Sequence, residues 1–248
     1  MTISLMNVVR PDIIKKYPEL LIAISTKDGG VSPAPYYLNL GLSVGDKEEN
    51  VLENRKRFFQ SLEIPLNRVV MQKQIHSDNI NVVSESCFIQ DSDALITNEK
   101  NLYLAISIAD CIPVFLYSPD KKVAAGIHSG WKGTEYKISQ KVVDRIVSEY
   151  NVEPAEMIAY IGPGISVENY EVSKEVAEMF NPTSYKIVEG KYYMDLKKDI
   201  YEQLISAGLK KENIEITEYC TFRDKELFHS HRREKGLTGR MLGVIGMR

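Results

Sequence analysis

Cysteine is scarce in this chain. There are 3 among 248 residues, an odd number with no CxxC pair. That argues against a disulfide framework and makes a reducing, cytoplasmic setting the expectation. Excess positive charge is also missing: 31 Lys and Arg stand against 34 Asp and Glu, a net charge of −3. Nothing therefore favours general electrostatic binding to nucleic acid. No apolar run is long enough to span a bilayer; the longest, residues 102–117, contains Asp110 and Pro113 and is expected to be a buried sheet segment rather than a membrane span. The opening MTISLMNVVRPDIIKK has no basic start, continuous apolar core or small-residue cleavage site, so no secretory signal is expected. Internal repeats, low-complexity tracts and linker-like shifts in composition are missing too. With 44% apolar and 26% charged residues, the expectation is a soluble globular protein with one catalytic domain over residues 1–248.

The apolar pattern predicts mixed α and β structure. Strands are expected at 20–25, at both ends of 69–83, and at 94–97, 104–109, 112–117, 123–127, 157–161, 214–217 and 241–245. A long loop rich in Gly, Pro, Asn and Asp follows the first strand, and loops of that length are more often functional than idle. Asp46 is placed to cap the next helix with Glu49 as its capping-box partner; Val51, Leu52, Phe58 and Phe59 would form that helix's apolar face. Further helices are expected over 134–150, where Ile138, Val142, Val143, Ile146 and Tyr150 recur at helical spacing, over 172–180, and over 195–207, stopped by Gly208.

Three residues carry the chemistry: His76, Cys111 and His128, each where an apolar strand gives way to polar loop. Imidazole and thiolate are zinc's preferred donors, and three protein ligands leave a tetrahedral ion one open position, the mark of a catalytic site. Their separations of 35 and 17 residues match no local finger motif, so only a fold that aligns strand ends can unite them. Asp110, beside Cys111, would act as a second-shell group if the strand stays regular, or join Cys111 if it bulges. In AAGIHSGWKGTEY, Gly130 and Gly133 bracket Trp131 and Lys132 before a helix, an arrangement suited to an anion, with Lys132 adding a point charge. Arg55, Arg232, Arg233 and Arg240 are open to two readings, bidentate anion donors or solvated charges. His229 and His231 would share one face of an edge strand.

Taken in order, STKDGGVS, YYLNLGLSVGD, ENRKRF, QIHSDN, DALITN, ADCIPV, HSGWKG, IGPGIS, CTFRDKELFHSHRR and TGRM resemble the polyphenol oxidoreductase or "laccase-domain" family, from about Ser25 to Arg240. Members of that family are described as purine nucleoside phosphorylases with accompanying adenosine deaminase activity. The resemblance implies an α/β (α+β) layered sandwich, with mixed β-sheets between helices and a site like that of a cysteine-hydrolase toxin. It also implies a metal held by His76, Cys111 and His128, Zn2+ with Cu2+ as the alternative. Purine nucleosides and phosphate would be the substrates, with Asn39, Arg55, Lys132 and Arg240 as candidate substrate contacts and Asp110 as a candidate proton shuttle. Two cations depart from the family pattern: Lys27 and Lys132 stand where many relatives have Arg, and a lysine cannot reproduce a bidentate fork. His229 and His231 occupy commonly aromatic places.

Two other readings use the same residues. A copper oxidase acting on phenols would use the His₂Cys set, although multi-electron oxygen reduction normally needs more histidines than the 4 present. A metal-free amidase or deamidase would use Cys111 as a nucleophile activated by His128, leaving His76 without a task. A homodimer is the base expectation for any soluble oligomer.

Overall fold

A computed structural model describes residues 6–248. Among them, the strands form two six-stranded sheets and one of three strands. The first large sheet runs Val8–Val9, Leu20–Ser25, Met241–Met247, Tyr103–Ile108, Val69–Gln72, Phe88–Ile89. The second runs Ile214–Ile216, Ile158–Ile161, Ile112–Ser118, Val123–Ser129, Ala94–Thr97, Ile80–Val82. Both are mixed. Tyr103–Ile108 lies antiparallel to Met241–Met247 and parallel to Val69–Gln72. The α+β class is that expected.

Strand alternation builds the layers. Ile112, Val114 and Leu116 pack with Ile138, Val142, Val143 and Ile146 of helix Ile138–Tyr150 and with Ile200 and Leu204 of helix Leu196–Ser206. Phe115 and Tyr117, on the opposite face, meet Leu104, Ile106, Ile108 and Ile245 of the first sheet. That sheet's outer residues, Leu21, Ala23, Tyr103, Ala105 and Val244, lie under Phe58 and Phe59 of helix Glu48–Ser61. The order is helix, sheet, sheet, helices. Because both sheets are covered on both faces, their strands read as continuous apolar runs instead of alternating ones. Each fully buried aliphatic side chain contributes roughly 1.5–3 kcal/mol.

Several local expectations need correction. The single helix over 134–150 is two, Trp131–Glu135 and Ile138–Tyr150, broken at Lys137 with φ 59°. Residues expected as helix over 172–180 instead supply a strand, Glu171–Val172, and one turn, Lys174–Ala177, capped by Ser173. Asp46 does not cap helix Glu48–Ser61, whose N-cap is Lys47; its carboxylate accepts from Ser32 Oγ and Asn39 Nδ2 instead. Val51, Phe58 and Phe59 are buried as expected, but Leu52 is exposed and Asn54 is buried with them. Asn54 Nδ2 donates to Ser32 Oγ and to the Tyr37 and Asn39 carbonyls, while its Oδ1 accepts from Val31 N. This one side chain fastens the long loop to the helix.

Candidate metal centre

The three candidate ligands gather where the chain passes between the large sheets. His76 lies in the loop from Val69–Gln72 to Ile80–Val82, and Cys111 in the turn from Tyr103–Ile108 to Ile112–Ser118. His128 is the penultimate residue of Val123–Ser129 and pairs with Pro113, two residues beyond Cys111. The ligand atoms of His76, Cys111 and His128 all lie within 4.8 Å of one another. Cys111 Sγ is 3.8 Å from His76 Nε2, and the imidazoles meet edge to face with centroids 4.9 Å apart. Ligands bound to one tetrahedral zinc at about 2.0–2.3 Å stand about 3.3–3.7 Å apart. The donor set and its spacing fit such an ion.

Asp93 organises this cluster. Its side chain is fully buried. Oδ1 accepts from His128 Nδ1 at 2.8 Å and from His76 N at 3.1 Å. Oδ2 accepts from Ser77 N and Ser77 Oγ, both at 2.7 Å, and from Ile75 N at 3.3 Å. One carboxylate thus orients one imidazole and fixes the backbone bearing the other. With Nδ1 committed to Asp93, His128 turns Nε2 toward the cluster, an orientation typical of metal-ligating histidines. The loop needs this support because His76 sits in the left-handed region, φ 59°, uncommon for a non-glycine residue. Gly130 closes the site's floor: a Cβ there would lie 2.9 Å from Cys111 Sγ and 3.0 Å from His76 Cδ2.

The electrostatics follow from this geometry. Burial would raise the Cys111 thiol, but His128 and His76 outweigh it and bring it down to about 6. Burial would lower His128, but the Cys111 thiolate and Asp93 carry it up to about 9. Burial likewise disfavours a charged Asp93, yet its bonds to His128 and Ser77 hold the carboxyl at about 2. These shifts favour a Cys111 thiolate beside a protonated His128, backed by the Asp93 carboxylate.

Other candidates sit elsewhere. Asp110 is in neither expected position: the strand ends at Ile108, and Asp110 occupies the turn at φ 100°. Its Oδ1 accepts from Thr221 Oγ1 and its Oδ2 from Arg232 N, both at 2.7 Å, so both oxygens hold the 221–232 segment. Asn39 is fully buried. Its amide donates to the Gly41 carbonyl and Asp46, and accepts from Gly41 N and Arg240 N, leaving no free group for a substrate. Arg55 Nε donates to the Leu40 carbonyl, on the opposite side of the first sheet. Arg240 Nη1 donates to Thr238 and Gly239 carbonyls, yet its guanidinium lies within electrostatic reach of Asp110 and Cys111. Lys132 is exposed, its ammonium 5.6 Å from the Trp131 ring, on a helix of only five residues. His229 and His231 share no strand face: His229 is buried with Nδ1 against Thr238 Oγ1, and His231 is exposed. Asp93 was not among the residues expected from the sequence, although it opens the DALITN block; its position just ahead of the short, fully buried strand Ala94–Thr97 was the available signal.

A family model described as multi-copper polyphenol oxidoreductase laccase matches residues 21–248. The chain belongs to this family. Relatives include purine nucleoside phosphorylase YlmD of Bacillus subtilis (strain 168), 34% identical over 248 residues, covering 93% of this chain and 89% of the relative. Purine nucleoside phosphorylase Cgl2154/cg2365 of Corynebacterium glutamicum is 35% identical over 230 residues, covering 89% and 92%. The crystal structure of Bacillus licheniformis hypothetical protein YfiH superposes with a TM-score of 0.91 at 33% identity, covering 95% of each chain. The laccase family thus contains relatives whose names describe a different chemistry. Among the described residues, one three-ligand cluster is present, and no helix is long and apolar enough to cross a membrane.

Proposed function

We propose that this protein is a zinc-dependent purine nucleoside phosphorylase with accompanying adenosine deaminase activity. The observation that carries the reading is the His76, Cys111 and His128 cluster oriented by Asp93, in a chain whose relatives are named phosphorylases. In phosphorolysis, a phosphate oxygen bonds to the anomeric carbon as the bond to the purine nitrogen breaks. The purine leaves with that electron pair, so groups that hold phosphate and stabilise the departing base set the rate. Arg240, within electrostatic reach of Cys111, and Lys132, beside Trp131, are the candidate phosphate-holding cations. Asn39 and Arg55 would act indirectly, by holding the loop against which Arg240 rests, and Asp110 by fixing the chain beside Cys111. A zinc ion held by the three ligands would supply a Lewis acid and lower the pKa of a bound water. The 3 free cysteines suit a reducing compartment such as the cytoplasm.

The test is to incubate the purified protein with adenosine, inosine and 5′-methylthioadenosine, with and without phosphate, and to identify the products. Free base formed only with phosphate supports the reading. Nucleosides recovered intact under both conditions overturn it.

A second reading draws on the Asp93–His128–Cys111 alignment, which also fits a metal-free thiol nucleophile activated by its histidine. Alkylation of Cys111 separates the two readings. Protection by zinc favours the metal site, and equal rates with and without zinc favour the nucleophile. The copper-oxidase reading has less support, because only 4 histidines are present and one of the two outside the cluster is buried against Thr238.

A further inference from the structure

A cleft of about 560 Å³ is lined by Trp131, Tyr170, Val172, Val176 and Arg232 among others. This is the size of a small-molecule pocket. Three links tie it to the metal-binding residues. Trp131 follows Gly130, the residue in contact with Cys111 and His76. Tyr170 lies within electrostatic reach of Cys111 and Asp110. Arg232 N donates to Asp110, the neighbour of Cys111, at 2.7 Å.

The arginine is held but not used up. Its guanidinium carbon sits 5.0 Å from the Tyr170 ring centroid, and Nη1 donates to the Glu171 carbonyl at 2.7 Å. Among the described residues, Nε and Nη2 have no hydrogen-bond acceptor, and no carboxylate pairs with the guanidinium. A planar cation stacked on a tyrosine, with N–H donors to spare and an indole on the same cleft, suits a flat aromatic ligand with acceptors along one edge. A purine is such a ligand: its face can pack on Trp131 and its N7 can accept from an arginine.

Building on the phosphorylase reading, we propose that the Trp131–Tyr170–Arg232 cleft seats the purine base and that Arg232 donates to its N7. Such a bond strengthens as the base departs with the glycosidic electron pair, so Arg232 serves both binding and leaving-group stabilisation.

Trp131 is the only tryptophan in the chain, so intrinsic fluorescence excited at about 295 nm reports this cleft directly. The experiment titrates metal-loaded protein, without phosphate, with inosine and with 7-deazainosine, which lacks the N7 acceptor. Saturable quenching by inosine is expected, about tenfold weaker with 7-deazainosine. In R232M, which keeps an apolar stem but has no donor, inosine should weaken to the 7-deazainosine level and the difference between the two should vanish. Thermal melting of R232M confirms that the fold is retained. Equal affinities for both nucleosides in the wild type overturn the N7 contact. Absent quenching in a protein that still phosphorolyses inosine overturns the cleft as base site and leaves the phosphorylase reading intact. Saturable, N7-dependent quenching in a protein with no phosphorolysis supports the seat while overturning that reading.

Discussion

Asp93→Asn tests the organisation of the site most severely, because it changes one atom and little volume. The carboxylate accepts five hydrogen bonds, two on Oδ1 and three on Oδ2. An asparagine can keep only one of these sets, because its nitrogen donates. Retaining the Oδ2 set leaves His76 N and His128 Nδ1 facing an N–H; retaining the Oδ1 set releases Ser77 and Ile75. Either way, two or three donors lose an acceptor, at roughly 1–3 kcal/mol for each that stays buried. Relaxation of the partly exposed loop reduces the total, so a loss of about 2–4 kcal/mol is expected. The linkage sign agrees. Despite burial, the bonds to His128 and Ser77 hold the Asp93 carboxyl at about 2, below the unfolded value of about 3.9, so its ionisation contributes on the order of 2–3 kcal/mol above pH 4, lost as pH falls toward 2. Metal affinity should fall about 10–100-fold, as when other second-shell partners of ligating histidines are removed. Competition against a chromophoric chelator measures affinity, and urea unfolding of the metal-free protein measures stability. A folded variant with wild-type affinity and an unchanged acid limb would refute the role given to Asp93.

Other expectations follow from the same geometry. Gly130→Ala places a methyl 2.9 Å from Cys111 Sγ, so metal affinity should fall at least about tenfold with a modest loss of thermal stability, as read by the chelator assay and calorimetry. Cys111→Ala should abolish metal binding and both proposed activities; undiminished phosphorolysis would show that the reaction does not use this cluster. In the metal-free protein, the depressed Cys111 pKa contributes stability above the unfolded thiol pKa, lost as pH falls through about 6. The raised His128 pKa contributes below about 6.5, lost as pH rises through about 9. Thiolate absorbance near 240 nm should therefore titrate close to pH 6 and move upward in His128→Gln. Phe115→Ala, between the two large sheets, should cost about 3–5 kcal/mol in denaturant unfolding.

Most of the sheet framework was legible because strands covered on both faces carry unbroken apolar runs. The runs around Ile106, Phe115 and Ala125 are examples, and their boundaries shifted by only a residue or two. The metal-binding residues were legible because His and Cys are few and because Cys111 and His128 border such runs, whereas His76 lies four residues beyond Val69–Gln72. What escaped depends on contacts distant in sequence. No local pattern announces that Asp93 will be buried and take five donors, or that Asp110 will turn away from Cys111 to hold Thr221 and Arg232. Asn39 read as a loop residue free to touch substrate, yet Asp46 and Arg240, 7 and 201 residues away, occupy its amide. The break at Lys137 was hidden because the apolar period of 138–150 continues an apparently helical stretch without a proline or glycine at the kink.

X-ray absorption at the zinc edge of metal-loaded protein tests most directly whether His76, Cys111 and His128 bind one ion together. One sulfur at about 2.3 Å with two imidazole nitrogens at about 2.0–2.1 Å, the sulfur lost in Cys111→Ser, is the expected first shell. A shell with no sulfur, or one unchanged by that substitution, would contradict it.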